Sequence, residues 1–225
     1  MYPLVSPIFK DIFTIKEIPF LSWSSYKPLN LKPKLSTFIY LTFGLILFGL
    51  GETILIASSQ GVSPWTILAQ GIAVNSNSSI GFATFIVSIS VLVLWFPLKQ
   101  KPGIGTIMNA IIISIVLDYS YPYLPKPDNF YFQIIQCFVG VFFIGLGSGF
   151  YLTANLGPGP RDGLNVGFAN ITKMPIFFIR TVIEFSVAIA GWYLGGVVGL
   201  GTIIFALFVG PSVSFGLVIV KYFFK

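Results

Sequence analysis

The stretch from Gly145 to Gly167, GLGSGFYLTANLGPGPRDGLNVG, decides the fold of this chain. It reads as the end of an apolar helix, a Gly/Pro break, and the start of a short helix. The same pattern stands 96 positions upstream, where Gly49-Leu50-Gly51 matches Gly145-Leu146-Gly147. Gly61, Pro64, Leu68 and Gly71 match Gly157, Pro160, Leu164 and Gly167. The register continues without a gap, so Gly103, Gly105 and Thr106 match Gly199, Gly201 and Thr202. One offset kept across so many Gly and Pro positions identifies two tandem copies of one unit.

The composition places both copies in a membrane. Of 225 residues, 55% are hydrophobic and only 9% are charged. A soluble domain cannot cover its surface with so few charges. The net charge of +6 is no nucleic-acid signal, because the positive residues cluster at the ends of apolar runs. With one cysteine, Cys137, and no histidine, an intrachain disulfide and a Cys/His metal cluster are both excluded. No metal or other cofactor is expected.

Six apolar runs follow a mixed segment, 1–36, which reads as an N-terminal tail. They cover 37–57, 79–98, 103–121, 130–153, 175–196 and 200–220. Each is about 20 residues, the length that crosses a bilayer core as helix. Within the tail, Ile12–Trp23 reads as a short amphipathic piece on the membrane surface. Trp95 and Trp192, near span ends, read as interface-belt residues. The tail carries Lys10, Lys16, Lys27, Lys32 and Lys34. Lys99 and Lys101 follow span two, Arg161 and Lys173 follow span four, and Lys221 and Lys225 end the chain. The other three loops hold only Lys126. This alternation puts both termini in the cytoplasm by the positive-inside rule.

Three spans per copy is an odd number, so the second copy must run upside down. The expected fold is therefore an all-α polytopic membrane protein. It has six transmembrane helices as two inverted three-helix repeats (37–121 and 130–220), each with a short broken or re-entrant helix. Secondary transporters share this arrangement.

The short helices begin at Pro64 and Pro160, with Ser63 in the N-cap place of the first. Their N-terminal ends carry partial positive charge and favour anions. Gly71 and Gly167 read as close-packing positions. Arg161 and Asp162 open the second short helix, whereas their counterparts Trp65 and Thr66 are uncharged, which assigns any charged site to the second copy. Arg180 and Glu184 stand at i and i+4 on the fifth span, share a face and can pair. Ionisable groups inside a span are costly and face a cavity or a partner. Thr84 and Ser88 take the matching places in copy one, and Glu52 matches Ser148. The candidate substrate site is Gly159, Arg161, Asp162, Arg180, Glu184, Ser63 and Thr66, with Glu52 as a proton-carrying group. The alternative is a structural salt bridge locking the fifth span. Asp118 reads as an interfacial residue without a role. Asn109, Asn155 and Asn165 line a cavity or bond between helices.

Enzyme motifs are missing, since a Ser-His pair and a zincin motif both need histidine. No Gly-x-x-x-x-Gly-Lys-Ser/Thr phosphate loop occurs. A non-enzymatic role is expected. The leading function is a small-solute transporter or permease with a site at the repeat interface. The alternative is a non-transporting scaffold or accessory subunit. The expected partners are the lipid bilayer and a small polar or anionic solute, with no nucleic acid; a homodimer is compatible with the chain.

These motifs resemble the YczE/YitT family of bacterial membrane proteins. The resemblance rests on Gly157-Pro158-Gly159-Pro160-Arg161-Asp162-Gly163-Leu164, on Arg180-x-x-x-Glu184, and on Gly195-Gly196-x-x-Gly199-x-Gly201-Thr202. In the first copy it rests on Gly61-x-x-Pro64-Trp65 and Pro102-Gly103-Ile104-Gly105-Thr106. It covers roughly residues 38–220. At Thr66 the family often carries an acidic residue, which sets that position apart. The resemblance implies an integral protein of the bacterial inner (plasma) membrane. It implies no substrate.

Overall fold

The structure, a computed structural model, describes residues 18–224. Every regular element there is helical: α1 (Leu35–Ala57), α2 (Pro64–Ser76), α3 (Ile80–Trp95), α4 (Ile104–Ser120), α5 (Phe130–Ala154), α6 (Pro160–Thr172), α7 (Ile176–Tyr193) and α8 (Leu200–Phe223). A 3-10 turn, Tyr121–Tyr123, follows α4.

Five of these helices are long and apolar enough to cross a membrane: α1, α4 with its 3-10 turn, α5, α7 and α8. The expected second span is shorter than the apolar run, with α3 only 16 residues long. That is about 24 Å at 1.5 Å per residue. Ser79 caps its start by accepting from the Phe82 N–H, and Pro97 follows its end. Helices α2 and α3, bent by 116° at their junction, pass the same test together, which gives up to six crossings.

The 96-residue offset is visible in local geometry. Both short helices open with proline and close on a left-handed residue, Asn77 and Lys173. The described residues with positive φ fall into offset pairs: Ser59 with Asn155, Gly61 with Gly157, Asn77 with Lys173, and Lys99 with Gly195. At the starts of α4 and α8, Thr106 and Thr202 accept the N–H of Gly103 and Gly199 respectively.

The central packing is α1 against α5. A Cβ on Gly51 would lie 2.6 Å from the Gly140 carbonyl oxygen, and one on Gly147 would lie 2.5 Å from that of Gly44. Such contacts need glycine, because the two backbones themselves touch. Gly44 meets Gly147 and Gly51 meets Gly140, so α1 and α5 run antiparallel. The outer elements exchange partners. Helix α2 packs on α7, and α6 packs on α3. The Gly201 N–H donates to the Gln60 carbonyl at 2.6 Å, and Gly105 N–H to that of Leu156 at 2.8 Å.

Two expectations are corrected here. Of the amphipathic piece expected over Ile12–Trp23, residues 12–17 lie outside the described residues. The rest is not helical, and Trp23 is buried in the core, its indole N–H donating to the Phe224 carbonyl. Trp95 is not an interface residue either. It is 1% exposed, packs over Gly163, and donates to the Pro160 carbonyl at 2.9 Å. A ring fits there because Gly163 has no side chain. Trp192, by contrast, stays exposed.

Candidate functional site

A cavity of about 220 Å³ opens where the starts of α2 and α6 converge. Ser63, Pro64 and Trp65 line it from one side, and Gly159, Pro160 and Arg161 from the other. Arg161 stands over the ring of Trp65, its offset counterpart, at 5.6 Å from the centroid.

Glu52, near the end of α1, is 1% exposed and points into this junction. Its carboxylate accepts from Ser63 Oγ at 3.1 Å and from Thr66 Oγ1 at 2.8 Å. Ser63 holds the N-cap position of α2, but its hydroxyl makes no capping bond and turns to Glu52 instead. Arg161 Nη1 lies 3.9 Å from Glu52 Oε1, beyond hydrogen-bond length. The charged site thus draws on both copies, contrary to the assignment to copy two alone. No local signal could have shown this, because Glu52 and Arg161 belong to different repeats.

Gly159, Arg161, Asp162, Arg180 and Glu184 all line this cavity. Arg180 Nε donates to Glu184 Oε1 at 2.8 Å, one helical turn apart. Asp162 accepts from Tyr151 Oη at 2.8 Å and makes no capping bond to α6. Among the described residues, the Arg180–Glu184 pair forms no ion pair with Arg161 or Asp162; each set holds its own partners around the cavity. Thr66 does not reach the cavity wall and stands behind Glu52. Thr84, Ser88, Ser148 and Asn109 complete the polar lining.

Two features, Tyr151 and Trp65, were not legible as site components. Tyr151 orients Asp162 across the break between α5 and α6. Trp65 supplies the face beneath Arg161. Asn165 lines the cavity while 4% exposed, and its Oδ1 has no hydrogen-bond partner. A buried acceptor left open carries a desolvation penalty that a donor from a bound molecule would relieve. Asn155, by contrast, serves structure: it closes α5 in a left-handed conformation and donates to the Ser25 carbonyl.

Fold and site together define a polytopic helical membrane protein with a cavity that carries charged and polar side chains. Residues 35–217 match the family of unknown function DUF6198, and the chain belongs to that family. It is 39% identical over 206 residues to an uncharacterized protein of Haemophilus influenzae, covering 92% of this chain and 94% of that one. It is 30% identical over 178 residues to the uncharacterized membrane protein YczE of Bacillus subtilis, covering 77% and 82%. A third relative, the uncharacterized protein YyaS of Bacillus subtilis, is 25% identical over 172 residues. The resemblance to YczE read from the glycine and arginine motifs is thereby shown. No solved structure matches the chain.

Proposed function

We propose that this protein is a small-solute transporter of the bacterial inner membrane, built from two inverted three-span repeats. The solute binds between the starts of α2 and α6, and rocking of the halves exposes it to either side. The observation that carries this reading is the cavity itself: Glu52 of the first repeat, held by Ser63 at the start of α2, and Arg161 of the second, at the start of α6, meet across it. A structural salt bridge needs no such space.

The antiparallel α1–α5 pairing and the exchanged packing of α2 and α6 support inversion, because a two-fold axis between antiparallel helices lies across them. The six-span count treats α2 and α6 as re-entrant pieces that begin inside and return to the surface they came from. The orientation draws on one end of the molecule where Pro28, Gly103 and Leu156 meet, next to Lys27, Lys99 and Lys101. Glu52 is the group that carries a proton, and the chemistry is binding and passage, not catalysis. The solute is small and polar, with an anionic group for Arg161.

The test is a ligand panel on purified protein, read as thermal stabilisation, with carboxylates, amino acids, nucleosides, vitamins and inorganic anions. A ligand that binds only the folded state raises the midpoint as its concentration passes Kd. A saturable shift lost in Asp162→Asn and Glu184→Gln supports the site, and uptake of that ligand into proteoliposomes supports transport. No shift from any ligand, in folded protein, would favour a scaffold or accessory subunit instead.

A further inference from the structure

The two halves differ at one seam. In the first half α3 packs along α4 so closely that a Cβ on Gly81 would lie 2.2 Å from the Ser114 carbonyl oxygen. Asp118 pins this contact by accepting from Ser79 Oγ and, at 2.8 Å, from the Gly81 N–H. The offset counterparts of these four residues are Pro175, Phe177, Gly210 and Ser214. None can rebuild the clasp. Pro175 has no hydroxyl, Phe177 replaces the one residue small enough for the approach, and Ser214 is too short to reach as the carboxylate does. Accordingly α7 makes no comparable packing with α8, Phe177 is 80% exposed, and a Cβ on Gly210 would have nothing within 4 Å.

This open seam leads into the cavity. Arg180 and Glu184 line the cavity from α7, and Phe205, Val209 and Val213 line it from α8. The Arg180 side chain is 49% exposed, although α7 is a candidate membrane span. Its Nε is held by Glu184 at 2.8 Å, and the remaining N–H groups of a half-exposed guanidinium at that depth call for a further acceptor. Deeper in, Arg161 has its nearest carboxylate at 3.9 Å. The space therefore has a polar floor, where two guanidinium groups stand among the carboxylates of Glu52, Asp162 and Glu184, and an apolar wall on α8.

We infer that the cavity is loaded from the side, between α7 and α8, by an amphiphile with a compact anionic head and a single alkyl chain. This rests on the reading of the cavity as a ligand site and names its ligand class and route. The anionic head meets Arg161 and Arg180, and the chain lies along Phe205, Val209 and Val213. At about 220 Å³ the cavity is smaller than pockets that enclose a drug-sized ligand; those run from about 300 to 1,000 Å³. It holds a head, and the chain stays in the seam.

The experiment uses the full chain in phosphatidylcholine nanodiscs, titrated with straight-chain carboxylates from acetate to decanoate. Tryptophan fluorescence is the readout, since Trp65 lies beneath Arg161. The expected result is saturable binding whose half-saturation concentration falls at least tenfold from butanoate to decanoate. Arg161→Gln and Val213→Phe should each abolish it. If Arg161→Gln fails to fold, Val213→Phe decides alone. Equal half-saturation for short and long acids would overturn lateral loading and leave the site reading intact. A response that does not saturate and persists in the folded variants is partition into the bilayer and would also overturn it. Silence from every acid together with a silent ligand panel would sink both readings.

Discussion

Glu52 is the residue on which the site turns. It is fully buried, yet its partners are two hydroxyls and a guanidinium beyond hydrogen-bond length. Ser63 and Thr66 both donate to that carboxylate, and the amide oxygen of a glutamine accepts the same bonds. Glu52→Gln keeps that geometry. The variant should fold with a near-native melting midpoint, while the pH dependence of ligand binding disappears. An unchanged pH profile would assign the proton to another group. Glu52→Ala removes the acceptor altogether and should cost about 1–3 kcal/mol in a denaturation series, because Ser63 and Thr66 keep their mutual bond but a buried hydroxyl proton loses its acceptor. Glycine carries the opposite kind of constraint. Gly51→Ala places a methyl against the Gly140 backbone, where no flexible side chain can give way. About 1–3 kcal/mol or more of destabilisation is expected from such overpacking, checked by the detergent-unfolding midpoint. Gly210→Ala, with open space around it, serves as the tolerant control.

At the scale of elements, the short helices differ from spans in length, and α6 in its polar composition as well. Helix α2 is apolar, but its start is tied to Glu52 and its Asn75 donates to the Leu194 carbonyl at the head of the α7–α8 loop. Its start is thereby held within the first half and its end on the second. Helix α3 is held on α4 by Asp118, whereas α7 stands apart from α8. Asp118→Ala should lower the melting midpoint by the equivalent of roughly 1 kcal/mol or more, the scale of a lost N-cap interaction. Ser214→Ala, at the offset position, should change it little. Equal effects from the two variants would show that Asp118 is no clasp.

For the whole molecule, the exchange of short helices between halves makes one body of two repeats. Neither half could bury its α2 or α6 alone, so the repeats are expected to unfold together. Orientation is the global property open to direct measurement. In a Cys137→Ser background, single cysteines at Lys32, Lys99 and Lys173 should react with a membrane-impermeant thiol reagent only after the inner face is exposed. A cysteine at Lys126 should react in intact spheroplasts. The reverse pattern would invert the topology, and labelling of Lys32 and Lys99 from opposite faces would break the six-span arrangement.

The repeat, the helix starts at Pro64 and Pro160, and the Arg180–Glu184 pair follow from the chain itself, because each depends on residues close in sequence or on one constant offset. Helix extent was legible to within a few residues, α3 included, where a cap and a proline trim the ends. Tertiary structure alone decided that Glu52 faces Arg161, that Tyr151 orients Asp162, that Trp95 is core, and that one seam is closed while its counterpart is open. Each of these is a meeting of side chains from separate helices. Sequence periodicity shows which face of a helix is buried or polar, but the partner on that face depends on how the helices cross. Here the crossing is set by glycine contacts between the two halves, and those halves come together only when the whole chain folds.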